Sequence, residues 1–284
     1  MILVTAAAGR TGRSVVAALG RAGHDVRAFD IDDLVEQLVG ERGAAEAVVG
    51  DLLRPDDVQR VIHGVDCVVH IGPPMHPREA EMGHGVVSAA RRAGVEHFVQ
   101  FSVTHPQLEP LLNHQAKLAV ERDVLRSRMQ FTILQPMHYM QNIDVAHVLA
   151  DGTLSLPYSL DTRLAHVDLE DVAQVAATVV GDRAHHYATY ELCGSDFRSA
   201  RELAQIIASE SGEVITASLV APRGPVSGRD VPSEEEDHRH DAMVRLFDHH
   251  GRYGITGNPN VLSWLLGRPP TSFAEYVRRC LAAP

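Results

Sequence analysis

Gly9 and Gly12 stand three residues apart in the run Ile2-Leu3-Val4-Thr5-Ala6-Ala7-Ala8-Gly9-Arg10-Thr11-Gly12-Arg13, where an apolar strand passes through small residues into a helix. That spacing serves a grip on a diphosphate. Gly9 lets the backbone approach a pyrophosphate and Gly12 lets the helix pack closely on the strand. The first amides of the helix, in the turn Ala8, Gly9, Arg10, Thr11 and Gly12, point at the phosphates. Ala6 occupies the place of the usual first glycine, so the match to G-x-G-x-x-G or G-x-x-G-x-x-G is incomplete. Asp30, eighteen positions after Gly12, ends the next strand where a carboxylate accepts hydrogen bonds from an adenosine ribose. A third strand brings Asp51 and Leu52 to the same edge, within reach of an adenine. Gly72, in the break Gly72-Pro73-Pro74 after the fourth strand, is counted with the nucleotide contacts. Asp30, Asp32 and Asp33 around Ile31 repel a 2′-phosphate that Arg10 and Arg13 only partly attract, so NAD(H) is favoured over NADP(H). His114 and Lys117, also three apart, lie on neighbouring parts of one helical face. An imidazole titrates where a general acid is most useful, which makes His114 the first candidate proton donor.

The elements that must position these residues alternate. The pattern predicts strands at Ile2–Thr5, Asp25–Asp30, Ala47–Val49, Cys67–Ile71, Glu96–Phe101 and Gln130–Gln135. Helices are predicted at Arg10–Ala22, Asp33–Gly40, Pro55–His63, Arg78–Arg92 and Asn113–Arg128. Such alternation implies an α/β fold, a Rossmann-type doubly wound parallel sheet with helices on both faces. After Pro136 the rhythm changes to short strands at Thr153–Leu156, Leu164–Val167, Thr189–Cys193 and Val214–Leu219, with helices at Leu169–Val180 and Ser199–Ser211. Residues 1–150 are therefore read as the dinucleotide-binding domain, with later segments returning to it. Residues 151–284 are read as a smaller α+β substrate lobe on the other side of a cleft. The loop at 221–232 is rich in Pro and Gly, and the sequence does not fix whether it closes over the site; Glu234-Glu235-Glu236-Asp237 after it reads as a solvated first helical turn.

With 284 residues the chain can bury a sizeable interior. A formal charge of −11, a pI near 5.8 and scattered arginines argue against nucleic-acid binding by phosphate neutralisation. Cys67, Cys193 and Cys280 are odd in number and widely spaced, which suits reduced thiols. No leader precedes the strand at Ile2 and no run is long enough to cross a bilayer, so a cytoplasmic protein with no membrane partner is expected. His70, His76, His84 and His105 lie near the carboxyl edge of the sheet without tight ligand spacing, so no metal is expected.

The ordered segments Thr5–Gly12, Gly50-Asp51, Phe101-Ser102, Asn113-His114-Gln115-Ala116-Lys117, Phe131–Pro136 with Tyr139–Asn142, Val167–Ala173 and Trp264–Phe273 resemble the NmrA-like branch of the atypical short-chain dehydrogenase/reductase superfamily, nearly end to end. The resemblance implies a Rossmann domain with a small C-terminal substrate lobe, nicotinamide nucleotide at the first βα turn, and members divided between reductases and proteins that bind nucleotide without turnover. Classical members place a Tyr four positions before the Lys, whose charge lowers the Tyr pKa. Asn113 stands there instead and cannot relay a proton near neutral pH. Lys117 is left to anchor ribose hydroxyls. The resemblance also puts His138, a second candidate acid, and Tyr139 at the nicotinamide and substrate pocket, and Ser102 in the place of the substrate-orienting serine.

Three functions follow as expectations. The first is an NAD(P)H-dependent reductase or dehydrogenase of a small apolar carbonyl, quinone or enone, with the substrate in the crevice beyond the strand ends. The second is a non-catalytic NAD(P) sensor with a regulatory protein partner, favoured by Asn113 and Ala6. The third is an isomerase or lyase that uses His114 or His138 for acid/base work. A homodimer is the other assembly considered.

Overall fold

A computed structural model describes residues 1–222 and 233–282. In chain order the regular elements begin with β1 (Ile2–Thr5), α1 (Arg10–Arg21), β2 (Val26–Asp30), β3 (Glu46–Val49), α2 (Pro55–Ile62), β4 (Cys67–Ile71), α3 (Glu79–Ala93), β5 (His97–Phe101), α4 (Leu112–Arg126) and β6 (Gln130–Pro136). They continue with β7 (His138–Tyr139), α5 (Val145–Asp151), β8 (Thr153–Leu156), β9 (Leu164–Val167), α6 (Leu169–Gly181), β10 (Ala188–Leu192), β11 (Phe197–Arg198), α7 (Ala200–Ser211), β12 (Thr216–Leu219), α8 (Glu234–Tyr253), α9 (Asn260–Leu266) and α10 (Phe273–Ala282). The contacts divide the chain into Met1–Gln135 with Val172–Tyr190, and Pro136–Asp171 with Glu191–Pro284.

The first unit is built on a seven-stranded sheet of order β10-β6-β5-β4-β1-β2-β3. Strands β1 to β6 pair in parallel, and β1 lies between β2 and β4, so the strand order reverses there. This is a Rossmann-type α/β fold. Its reversal point opens a crevice beyond the carboxyl ends of β1 and β4. Strands buried on both faces read as continuous apolar runs, as in Leu3-Val4 and Val68-Val69, and Leu3, Phe29, Val68, Phe98 and Ile133 share one core with the buried faces of α2, α3 and α4.

Two elements differ from the sequence expectation. Asp33–Leu38 is a 3-10 helix rather than an α-helix to Gly40, because Asp32 caps Leu34 N–H and only Val35 and Leu38 are buried, at the three-residue period of that helix. The strand expected at Thr189–Cys193 within the second half forms as β10 at the edge of the large sheet beside β6.

The second unit holds a three-stranded sheet, β11-β9-β7, and a two-stranded one, β12-β8. Its core joins Met140, Leu154, Leu164, Leu203, Ile207, Phe273 and Val277. The acidic run begins α8 within a capping box formed by Ser233 and Glu236. Of the Pro- and Gly-rich loop at 221–232, residues 223–232 lie outside the described residues.

Candidate functional site

Helix α1 starts at Gly9 with no side chain capping its amides and no acidic residue in its first turn, which leaves the positive helix end to an anion. Gly12 explains how the helix reaches the strand: a Cβ there would sit 2.2 Å from Ala6 O and 2.5 Å from Ala7 Cα. Ala6 itself adopts φ +48°, the left-handed conformation for which a glycine is the usual choice. The missing glycine is thus a change of residue without a change of path. Asp30 receives Ala8 N–H at 2.8 Å on one oxygen and Asp32 N–H at 3.1 Å on the other, so it ties the first βα turn to the end of β2. Asp51 accepts Leu53 N–H at 2.8 Å, and Leu52 packs half-buried against the core. Thr11 is half-buried and Arg10 and Arg13 are exposed.

At the carboxyl end of β4 the chain places a buried ion pair. Lys117 Nζ lies 2.7 Å from Glu79 Oε1, and the side chains are 12% and 2% exposed. A Cβ on Gly72 would stand 3.0 Å from that oxygen and 3.3 Å from the ammonium, so the bare glycine makes room for both. Below them, Thr5 Oγ1 joins β1 to β4: it donates to Ile71 O at 2.9 Å and accepts Ile71 N–H at 3.0 Å. Its single proton is thereby used, so the 2.9 Å contact with His70 Nδ1 makes that nitrogen the donor. Burial, then the charge of Lys117, holds the His70 pKa down to about 3, and the ring is neutral.

Neighbouring strands and helices add polar atoms that the protein does not satisfy. Ser102 Oγ, beyond β5, and Asn113 Oδ1, in the first turn of α4, have no hydrogen-bond partner, nor does Glu79 Oε2. Buried polar atoms are nearly always paired, so unpaired ones mark a place for a ligand group or water. His114, also in that first turn, gives its Nδ1 proton to His105 O at 2.9 Å. Three of the five non-glycine residues with left-handed backbone among the described residues, Ala6, Met75 and His105, fall in the loops after β1, β4 and β5. Strain is concentrated at the carboxyl edge. A diphosphate and a ribose diol therefore fit the residues present in this unit. Gly9, Gly12, Asp30, Asp51, Gly72, Ser102, His114 and Lys117 lie along its carboxyl edge.

His138 and Tyr139 belong to the second unit, on β7, which pairs with β9 so that His138 faces His166 in register. The His138 ring centroid is 5.3 Å from that of His166, 5.6 Å from His250 and 6.4 Å from Tyr158. Asn142 Nδ2 donates to His138 Nε2 at 3.2 Å, assigning the ring proton to Nδ1. Tyr158 OH and His166 Nε2 are buried without hydrogen-bond partners. Burial raises the Tyr158 pKa, and it lowers that of His166 to about 4 despite the His166 bond to Leu164 O.

Sequence reading missed Glu79 and, around His138, His166 and His250, whereas Tyr158 is expected from sequence as an apolar wall of the substrate pocket. Glu79 carries a legible signal: it occupies the buried row of α3 that continues through Met82, Gly83, Val86, Val87 and Ala90. The histidines lie on three elements and no spacing links them. Among the described residues no three His, Cys, Asp or Glu side chains are arranged to hold a metal, and no helix is long and apolar enough to cross a membrane.

The family model described as the NmrA-like family matches residues 1–277. An NAD(P)H azoreductase of Xenophilus azovorans is 26% identical, covering 100% of this chain and 99% of its own. The NADPH-dependent quinone oxidoreductase of Escherichia coli, solved with NADPH, superposes with a TM-score of 0.81 at 22% identity over 99% of this chain and 100% of that one. NmrA, a negative transcriptional regulator solved with NAD, superposes with a TM-score of 0.77 at 19% identity over 98% and 94%.

Proposed function

We propose, from the premise that the chain belongs to the NmrA-like family, that it is an NAD(P)H-dependent oxidoreductase acting on a small apolar acceptor such as a quinone, enone, carbonyl or azo compound. The observation that carries this reading is the first βα turn, where an uncapped helix end is brought onto β1 by a glycine that admits no side chain. The family relative whose printed activity is NAD(P)H azoreduction, aligned over the whole chain, supports the redox class. Bound there, the coenzyme supplies a hydride. The protein's own residues bind and orient. The amides at Gly9 to Gly12 hold the diphosphate, Asp30 and Asp51 take the adenosine half, and Lys117 holds the second ribose. Ser102 Oγ donates to an acceptor oxygen, and His114, its Nδ1 anchored on His105 O, is the proton donor.

NAD(H) is the preferred coenzyme in this reading. Asp30 is held at the end of β2 by two backbone amides, and Asp32 and Asp33 follow it, so negative charge faces any 2′-phosphate. A second reading, a nucleotide sensor without turnover, is favoured by Asn113, which cannot carry a proton at the position where the superfamily places its tyrosine. Loss of absorbance at the nicotinamide band with a panel of quinones, azo dyes and enones separates the two. Turnover with NADH, reduced in His114→Ala, is expected. Tight NADH binding with no turnover on any acceptor establishes the sensor instead.

A further inference from the structure

Lys117 is the only lysine in the chain; the other 25 of its 26 Lys and Arg residues are arginines. Its partner is equally singular in placement. Glu79 opens α3 on the face whose further members are apolar, and its carboxylate is 2% exposed with one oxygen unpaired. A buried carboxylate needs a counter-charge within reach, since its desolvation costs several kcal/mol. The helix end at α3 supplies part of it and the ammonium of Lys117 the rest. The backbone fixes their separation. One turn along from Glu79, Gly83 packs so tightly on α4 that a Cβ would meet Val120 Cγ2 at 2.3 Å, and Val120 is one turn along from Lys117. The two helices are thus clamped beside the pair, with Gly72 closing its other side. An ammonium fits this space as a compact point charge.

We propose that Glu79 is the positioning residue of the nucleotide site: it holds the Lys117 ammonium at the carboxyl end of β4 and leaves the remaining Lys117 N–H bonds for a vicinal diol, the chemistry of the nicotinamide ribose. The inference rests on the nucleotide-binding reading above. Asn113, four residues before Lys117, brings no charge to orient it, and the carboxylate from α3 takes that part. His70 registers the same fixed charge, since Lys117 adds to the lowering of its pKa.

A chain with one lysine permits a direct test. Protein labelled with ¹³C at lysine Cε gives a single side-chain signal, read before and after addition of NADH, NADPH or ADP. In wild type the signal is sharp and moves with either dinucleotide. In Glu79→Gln it is displaced before any nucleotide is added, and NADH affinity falls about tenfold, the scale of one lost hydrogen bond to a charged group. ADP affinity is unchanged, because ADP has no second ribose. Glu79→Asp recovers part of both effects, and it carries the test with the same readouts if Glu79→Gln does not fold. A variant whose lysine signal superposes on wild type, or which binds NADH as wild type does, overturns the positioning role. A wild-type protein that binds neither dinucleotide overturns the nucleotide reading itself, and with it the diol role, whatever the lysine signal does.

Discussion

Both units bury carboxylates, yet Glu79 in the first is held differently from Asp168 and Asp171 in the second. In the second unit Asp171 accepts Arg268 Nη2 at 2.6 Å, Thr271 N–H at 2.7 Å and Thr271 Oγ1 at 3.0 Å. Asp168 there accepts Gln141 Nε2 at 2.7 Å, Glu170 N–H at 3.0 Å and Arg279 Nη2 at 2.6 Å, while Asp196 takes Phe273 N–H at 2.6 Å. Every oxygen of Asp168 and Asp171 is answered by the chain. In the first unit Glu79 has an ion pair and an unanswered oxygen, and Ser102 and Asn113 are left short as well. A saturated buried network specifies a fold, whereas an unsaturated one at a strained sheet edge is prepared for something that is not part of the chain.

The widest effect should come from acid, which reaches both regions. His70 is held to about 3 and His97 to about 4 in the first unit, and His166 to about 4 in the second, against an ordinary 6.5, each chiefly by burial. Folded pKa values below the unfolded one mean that the unfolded chain takes up protons first. Stability is therefore full above pH 6.5 and falls as pH drops toward 4, by about 1.4 kcal/mol per unit for each histidine. Chemical denaturation at stepped pH reads this slope; a flat profile between those limits removes the buried neutral histidines.

Asp171→Ala should separate the regions. It leaves the Thr271 amide and the Arg268 guanidinium without their acceptor and costs about 3 kcal/mol of stability, with NADH affinity of the folded protein unchanged. Equal loss of affinity would erase the contrast drawn here. Gly12→Ala should act the other way, weakening NADH at least tenfold by pushing α1 from Ala6, with about 1–3 kcal/mol of overpacking. Asp30→Ala should narrow the preference for NADH over NADPH by a few-fold, measured as the ratio of their dissociation constants. The smallest effect is expected from Ala6→Gly, which relieves the left-handed backbone and raises stability by about 0.5–1 kcal/mol net of glycine entropy. Destabilisation there would mean that φ +48° costs alanine nothing.

The nucleotide half was legible because its physics is local. A strand, two glycines and an acidic strand end fall in order along the sequence, and β1 and β4 have the predicted bounds. The site beyond it was only partly legible. Lys117 and Ser102 are visible as types, but the ion pair with Glu79 depends on α3 and α4 being clamped by Gly83 against Val120, a contact between residues far apart in sequence. The group around His138 needs β7, β9 and α8, and β7 is only two residues long, too short for a period to show. The segments Val167–Ala173 and Trp264–Phe273 show why both are distinctive, since Asp171 in one holds Arg268 and Thr271 in the other. Composition held one further clue, the solitary lysine, whose meaning emerged only with its buried partner.

Calorimetric titration of the purified protein with NADH tests the central claim most directly, with Gly12→Val as the paired control. The account predicts saturable binding of one nucleotide per chain, tighter than NADPH, and its loss in the variant while the protein remains folded. Absence of heat from both coenzymes in wild type, or equal binding by Gly12→Val, contradicts it.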